Sequence, residues 1–204
     1  MKNVINNTKK GILMVALLAT VMGFAKEASF TIKNESDRTS LALLNVKKGN
    51  LLSIKDANGL ILYKESIKTS GTYTKGFDLT SLPDGSYFFE LDKDVEIRTI
   101  PFNVKSNTVV FDKEKAIVSF KPIIKIDGDM VYISKLALDY EPLKIKLYVE
   151  NDSYLSNNYK LIYSEEIKDI QTIERVYKLD KTVPGNYKII IFSEGREFAE
   201  HFKI

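Results

Sequence analysis

The feature that most constrains this chain is that it says the same thing twice. Tyr63 and Tyr163, Ile67 and Ile167, Leu79 and Leu179, Gly85 and Gly185, and Tyr87 and Tyr187 fall one hundred residues apart. Around them the first half reads Leu82-Pro83-Asp84-Gly85-Ser86-Tyr87 and the second Val183-Pro184-Gly185-Asn186-Tyr187. Upstream, Leu41-Ala42-Leu43 is matched with Leu136-Ala137-Leu138 at a spacing five shorter, and one loop insertion accounts for the shift. The insertion falls at Asn151 to Asn158, where the first half has the tight turn Asp56-Ala57-Asn58-Gly59. A repeat of this length implies two copies of one folding unit.

Each copy is patterned as strands. Lys144 to Glu150 alternates, with Ile145, Leu147 and Val149 on one side. Leu51 to Lys55 and Leu60 to Glu65 flank the Asp-Ala-Asn-Gly turn, whose Gly accepts positive φ and closes a hairpin. Gly85 to Leu91 and Val95 to Val104 pair around Asp92-Lys93-Asp94, as Gly185 to Phe192 and Arg196 to Ile204 do around Ser193-Glu194-Gly195. Period-two alternation of β-branched and aromatic residues marks half-buried strands, and no stretch after residue 25 carries a capped helical stripe. The fold expected is all-β, two tandem immunoglobulin-like antiparallel sandwiches of about 90 residues each. We expect a signal peptide over 1–25, a first sandwich over 26–112 and a second over 113–204.

Lys2, Lys9 and Lys10 precede an uncharged apolar run from Gly11 to Phe24. That is the length of a signal-peptide core and short of the about 20 apolar residues a membrane span needs. Gly23 and Ala25 place cleavage after Ala25, so the product is expected in the periplasm, secreted or at the cell surface, with no membrane span. Removing residues 1–25 takes away three lysines and no acid, leaving 27 basic against 27 acidic side chains. The signs are interleaved, as in Asp112-Lys113-Glu114-Lys115, so the clustered cations on which nucleic-acid affinity depends are missing. Cysteine is absent, and each sandwich must stand on its hydrophobic core alone.

Reactive side chains are few. With one histidine, His201, and no cysteine, neither a nucleophilic dyad nor a histidine-based zinc site can be assembled. The acidic turns Asp56-Ala57-Asn58-Gly59, Asp92-Lys93-Asp94-Val95-Glu96 and Asp127-Gly128-Asp129 each offer two or three oxygens. Calcium takes about six to eight. We assign no catalytic, cofactor or metal residue, no cofactor and no enzymatic activity. The repeated Pro-Gly-Tyr element is read as structural: glycine permits the turn and the tyrosine enters the next strand with ring buried and hydroxyl satisfied nearby. Loops held by a rigid scaffold are where recognition concentrates. The candidate binding surface is therefore the long second-copy loop, with Tyr154, Asn157 and Tyr159 as its contact residues and an unidentified protein or glycan as partner.

The repeat unit as a whole runs from a strand into a turn with Gly, an aromatic hairpin strand, Asp78-Leu79, Leu82-Pro83-Asp84-Gly85-Ser86-Tyr87 and a closing hairpin. It resembles the immunoglobulin-like domains of exported Bacteroidota proteins, closely over Leu51 to Val104 and more loosely over Ile145 to Ile204. The chain, including Phe120-Lys121-Pro122 and Glu194-Gly195-Arg196-Glu197-Phe198, is also similar to secreted flavobacterial proteins built from two such units. The resemblance implies export and a sandwich fold, and brings no catalytic residues. It extends to the C-terminal sorting domains of the type 9 secretion system, which implies an alternative role for the second copy in delivery to the cell surface.

Overall fold

A computed structural model of the chain describes residues 30–35, 38–150 and 159–204. The segment expected to be a signal peptide lies outside these residues. The described residues divide into two compact units, up to Ser119 and from Phe120 onward.

The first unit contains β1 (Phe30–Glu35), β2 (Arg38–Val46), β3 (Leu51–Asp56), β4 (Ile61–Ser66), β5 (Gly71–Phe77), β6 (Gly85–Asp92), β7 (Glu96–Lys105) and β8 (Thr108–Phe111). A single 3-10 turn, Lys113–Lys115, then leads into β9 (Ile117–Phe120). The second contains β10 (Ile123–Asp127), β11 (Met130–Leu136), β12 (Leu143–Glu150), β13 (Tyr159–Ile167), β14 (Thr172–Lys178), β15 (Asn186–Ser193) and β16 (Arg196–Lys203). No described helix is long and apolar enough to cross a membrane.

In the first unit β1-β2-β5 form one sheet and β4-β3-β6-β7-β8 the other, with β9 also paired to β7. In the second, β10-β11-β14 face β13-β12-β15-β16. The first seven strands of each unit thus follow one connectivity, with the fourth strand paired to the third. Alternation drives the packing. Leu52 and Ile54 of β3, Phe89 and Leu91 of β6 and Phe102 of β7 meet Leu41 and Leu43 of β2 and Phe77 of β5 in one buried cluster. Ile145 and Leu147 of β12, with Tyr187, Ile189 and Ile191 of β15, meet Val131 and Ile133 of β11 and Tyr177 of β14 in another. Burying one face of each sheet against its partner is what stabilises an antiparallel sandwich.

The expected turns close as their residues dictate. Asp56 Oδ1 accepts from the backbone N–H of Asn58 (2.9 Å) and Leu60 (2.8 Å), and Gly59 sits at φ +85° where a side chain would be strained. The β7–β8 and β15–β16 hairpins each have two consecutive positive-φ residues, Ser106-Asn107 and Glu194-Gly195, the backbone of a type I′ turn. In both units the tyrosine after the Pro-Gly element is buried, and its hydroxyl donates to the carbonyl four residues upstream. Tyr87 reaches Pro83 at 2.8 Å and Tyr187 reaches Val183 at 2.6 Å. This is the tyrosine corner of immunoglobulin-type sandwiches.

One expected correspondence is corrected by the ladders. Leu41 lies opposite Lys75, and Ile133 opposite Arg175, so the triplet Leu41–Leu43 is matched by Ile133–Lys135 and not by Leu136–Leu138. The Leu-Ala-Leu likeness comes from composition, whereas register follows which residues must face the core. Lys135 consequently stands where the first unit has the fully buried Leu43. Its side chain is 1% exposed, and Nζ donates to the Phe120 carbonyl and to Glu194 Oε1, both at 2.7 Å.

A candidate binding face on the second sandwich

Of the three loop residues singled out from sequence, Tyr154 and Asn157 lie outside the described residues, and Tyr159 opens β13 opposite Glu150 of β12. That position puts Tyr159 on the outward side of the four-stranded sheet, where sequence reasoning had seen only a loop. On β15, Tyr187, Ile189 and Ile191 turn into the core, so Lys188 and Phe192 turn outward. Tyr148, Lys188 and His201 stand in one cross-strand row.

The side chains of that row converge. Lys188 Nζ lies 4.6 Å from the centre of the Tyr159 ring and 5.1 Å from that of Tyr148. The His201 ring meets Tyr159 edge-on at 6.0 Å. Beside them Lys146 Nζ lies 5.2 Å from the Phe192 ring, and Asn186 Nδ2 donates to Glu150. Each cation over a ring contributes about 0.5–1 kcal/mol at an exposed site. The result is a sheet surface with ring faces, two ammonium groups and one imidazole. Such a surface can stack against planar or sugar rings and donate hydrogen bonds.

The same row in the first unit is built from Lys55, Phe88 and Pro101. There Lys55 Nζ pairs with Glu90 Oε1 at 2.7 Å, and Glu90 is 6% exposed. The position of Glu90 is taken by Ile190 in the second unit. One unit closes its outer face with an ion pair, and the other presents rings and cations.

Several carboxylates of the acidic turns have partners of their own. Asp56 caps its own turn, Asp94 Oδ2 pairs with Lys47 at 2.6 Å, and Glu96 Oε1 with Lys93 at 2.9 Å. Asp129 Oδ1 lies 3.4 Å from Lys181 Nζ. Among the described residues no three acidic or histidine side chains converge as metal ligands.

A second pair of clusters escaped sequence reasoning. Glu65 Oε2 of β4 accepts from Lys75 Nζ (2.5 Å), Tyr73 Oη (3.2 Å) and Tyr63 Oη. Glu165 Oε1 of β13 accepts from Arg175 Nε (3.2 Å) and Tyr177 Oη. β4 and β5 are the edge strands of opposite sheets, as β13 and β14 are, so each carboxylate clasps two sheet edges together. The Lys75 ammonium and the Tyr63 hydroxyl hold the Glu65 carboxyl below the usual carboxylate range. Burial, reinforced by Glu65, pushes the Tyr73 phenol up, and burial with the Glu165 hydrogen bond does the same to Tyr177. The signal was available: Glu65 and Glu165, and Lys75 and Arg175, also lie one hundred residues apart. Charged residues without a catalytic pattern gave no reason to single them out.

No family model and no curated protein matches the chain. Solved structures that share its β character are distant. A biofilm-associated protein BSP domain is 11% identical with a TM-score of 0.27, over 86% of this chain and 29% of its own. The human OSCAR ligand-binding domain is 11% identical with a TM-score of 0.25, over 86% and 96%. The receptor tyrosine kinase Torso is 8% identical with a TM-score of 0.23, over 89% and 75%. The strand ladders and the two cores described above define the fold independently of these likenesses.

Proposed function

We propose that this chain is an exported binding module that catalyses no reaction and engages a protein or glycan partner through the outer sheet face of its second sandwich. The observation that carries this reading is Lys188 held between Tyr148 and Tyr159, with His201 against the Tyr159 ring. The corresponding row of the first unit, on a sandwich of the same connectivity, is built from different chemistry. Tyr154 and Asn157 precede Tyr159 in the sequence by five and two residues. Export rests on the basic and apolar pattern of residues 1–25, and descent of the two units from one duplicated sandwich rests on the hundred-residue spacing.

The test is crosslinking and affinity capture from the surface and periplasm of the producing cell, together with a glycan array. The wild-type chain and a Tyr159→Ala/Lys188→Ala variant are compared. Wild type should recover a specific protein or glycan that the variant loses. Recovery of none by wild type, or equal recovery by both chains, would refute the assignment.

A further inference from the structure

The two units differ at the outer edge of their last hairpin. In the first, β7 is paired on its far side by β8 and β9. In the second, no described strand pairs with β16 on the side away from β15. Gly185 and Ile204 exchange both backbone hydrogen bonds, at 3.0 and 3.1 Å. Hydrogen-bonded and non-bonded pairs alternate along an antiparallel ladder. The backbone groups of Phe202, Glu200 and Phe198 therefore turn toward β15, and those of Glu197, Ala199, His201 and Lys203 turn outward. At the corresponding place in the first unit the Pro101 carbonyl accepts from Asp112 N–H at 3.2 Å, which confirms the direction.

Side chains tell the same story. Phe102 is 1% exposed and Val104 2%, because Val109 and Phe111 of β8 lie opposite Val104 and Phe102. The Phe111 ring centre is 5.1 Å from that of Phe102. Their counterparts in the second unit, Phe202 and Ile204, stack on the core margin but stay half-buried, as does Phe198. Where the first unit has the buried Ile100, the second has Glu200, opposite Ile189 and exposed. An acidic side chain on the core-facing side of an open edge discourages pairing with an apolar strand or with a second copy of itself. It favours a strand that brings a cation to that point.

We infer that β16 is an acceptor edge for an extended segment of a partner protein. That segment adds antiparallel, with an aliphatic residue opposite Ile204, an aromatic opposite Phe202 and Lys or Arg opposite Glu200. Backbone hydrogen bonds give such strand addition its affinity, and alternate side chains give it specificity. The required spacing, aliphatic-x-aromatic-x-basic, occurs in this chain as Val109-Val110-Phe111-Asp112-Lys113, the segment that begins as β8.

A synthetic peptide of residues 107–115 is the probe, titrated into the purified protein expressed from its complete reading frame. Amide exchange and chemical shifts are read residue by residue. The amides of residues 197, 199, 201 and 203 should exchange fast in the free protein, and those of 199, 201 and 203, which the peptide reaches, should become protected on titration. The amides of 198, 200 and 202, already bonded to β15, should change little. Lys113→Glu in the peptide should weaken binding about tenfold, and Glu200→Lys in the protein should reverse that preference. Ala199→Pro, which removes one outward donor, should weaken binding several-fold without lowering the melting temperature. If Ala199→Pro does not fold, the Glu200→Lys exchange of preference decides. The inference is overturned by outward amides already protected in the free protein, by equal binding of both peptides, or by undiminished binding to folded Ala199→Pro.

Discussion

At the scale of single residues, the molecule relies on polar atoms that find partners close by. Tyr87 and Tyr187 each bury a ring and direct a hydroxyl at a backbone carbonyl four residues back. Replacing either with Phe keeps the ring and removes one hydrogen bond, so each should cost about 0.5–1.5 kcal/mol in chemical denaturation. Glu65 gives a pH signature. Its carboxyl is held low by Lys75 and then Tyr63, so the folded state gains from this group above the ordinary carboxylate range. The gain disappears as pH falls through the depressed folded value. Urea midpoints should therefore drop from about pH 5 to pH 3 more steeply for wild type than for Glu65→Gln. The tyrosine corner was legible in sequence because glycine, turn and aromatic residue adjoin. The carboxylate clasps showed only as repeated charges one hundred residues apart, and their pairing was hidden because their members come from two strands that only folding brings to the same side of the sandwich.

Lys135 shows the same limit at a buried position. In sequence it is an ordinary lysine in a strand, and only the ladder reveals that it replaces Leu43. Its ammonium holds the Phe120 carbonyl and the side chain of Glu194, a residue at φ 52° in a turn position usually given to Asn or Gly. Lys135→Met should cost about 3 kcal/mol, because a largely buried carboxylate loses its cation. Adding Glu194→Gln should restore most of that loss, and a double-mutant cycle by denaturation measures it.

At the scale of elements, strands were readable wherever one face is buried and the other wet. Alternation placed β3, β6, β7, β12, β15 and β16 within a residue or so of their observed limits. The register of β11 was not readable, since Leu136-Ala137-Leu138 mimics Leu41–Leu43 while the core selects Ile133. Unequal cover on the last hairpins gives a further expectation. Phe102→Ala, at a fully packed site, should cost about 3–5 kcal/mol. Phe202→Ala, at a half-buried site lacking a counterpart of Phe111, should cost clearly less, and the two differ in denaturant midpoint. Tyr159 illustrates a partial success: its residue type marked it as a contact candidate, but its place on a sheet face beside Lys188 depends on strand pairing.

At the scale of the whole molecule, two separate buried clusters take the place of the disulfides the chain lacks. Substitutions in one cluster should act on that unit alone. Leu43→Ala should accelerate deep amide exchange in β2, β3 and β6, and Ile145→Ala in β12 and β15, with the two losses additive.

The hairpin that joins the third and fourth strands is closed by Asp56 to Leu60 in one unit, and in the other its last ladder pair is Glu150 with Tyr159. Closure entropy rises by only about 0.6 kcal/mol for each doubling of loop length. The eight residues between Glu150 and Tyr159, against three between Asp56 and Leu60, therefore add less than about 1 kcal/mol to the closure of this hairpin, so its length is only weakly constrained by the ladder it joins.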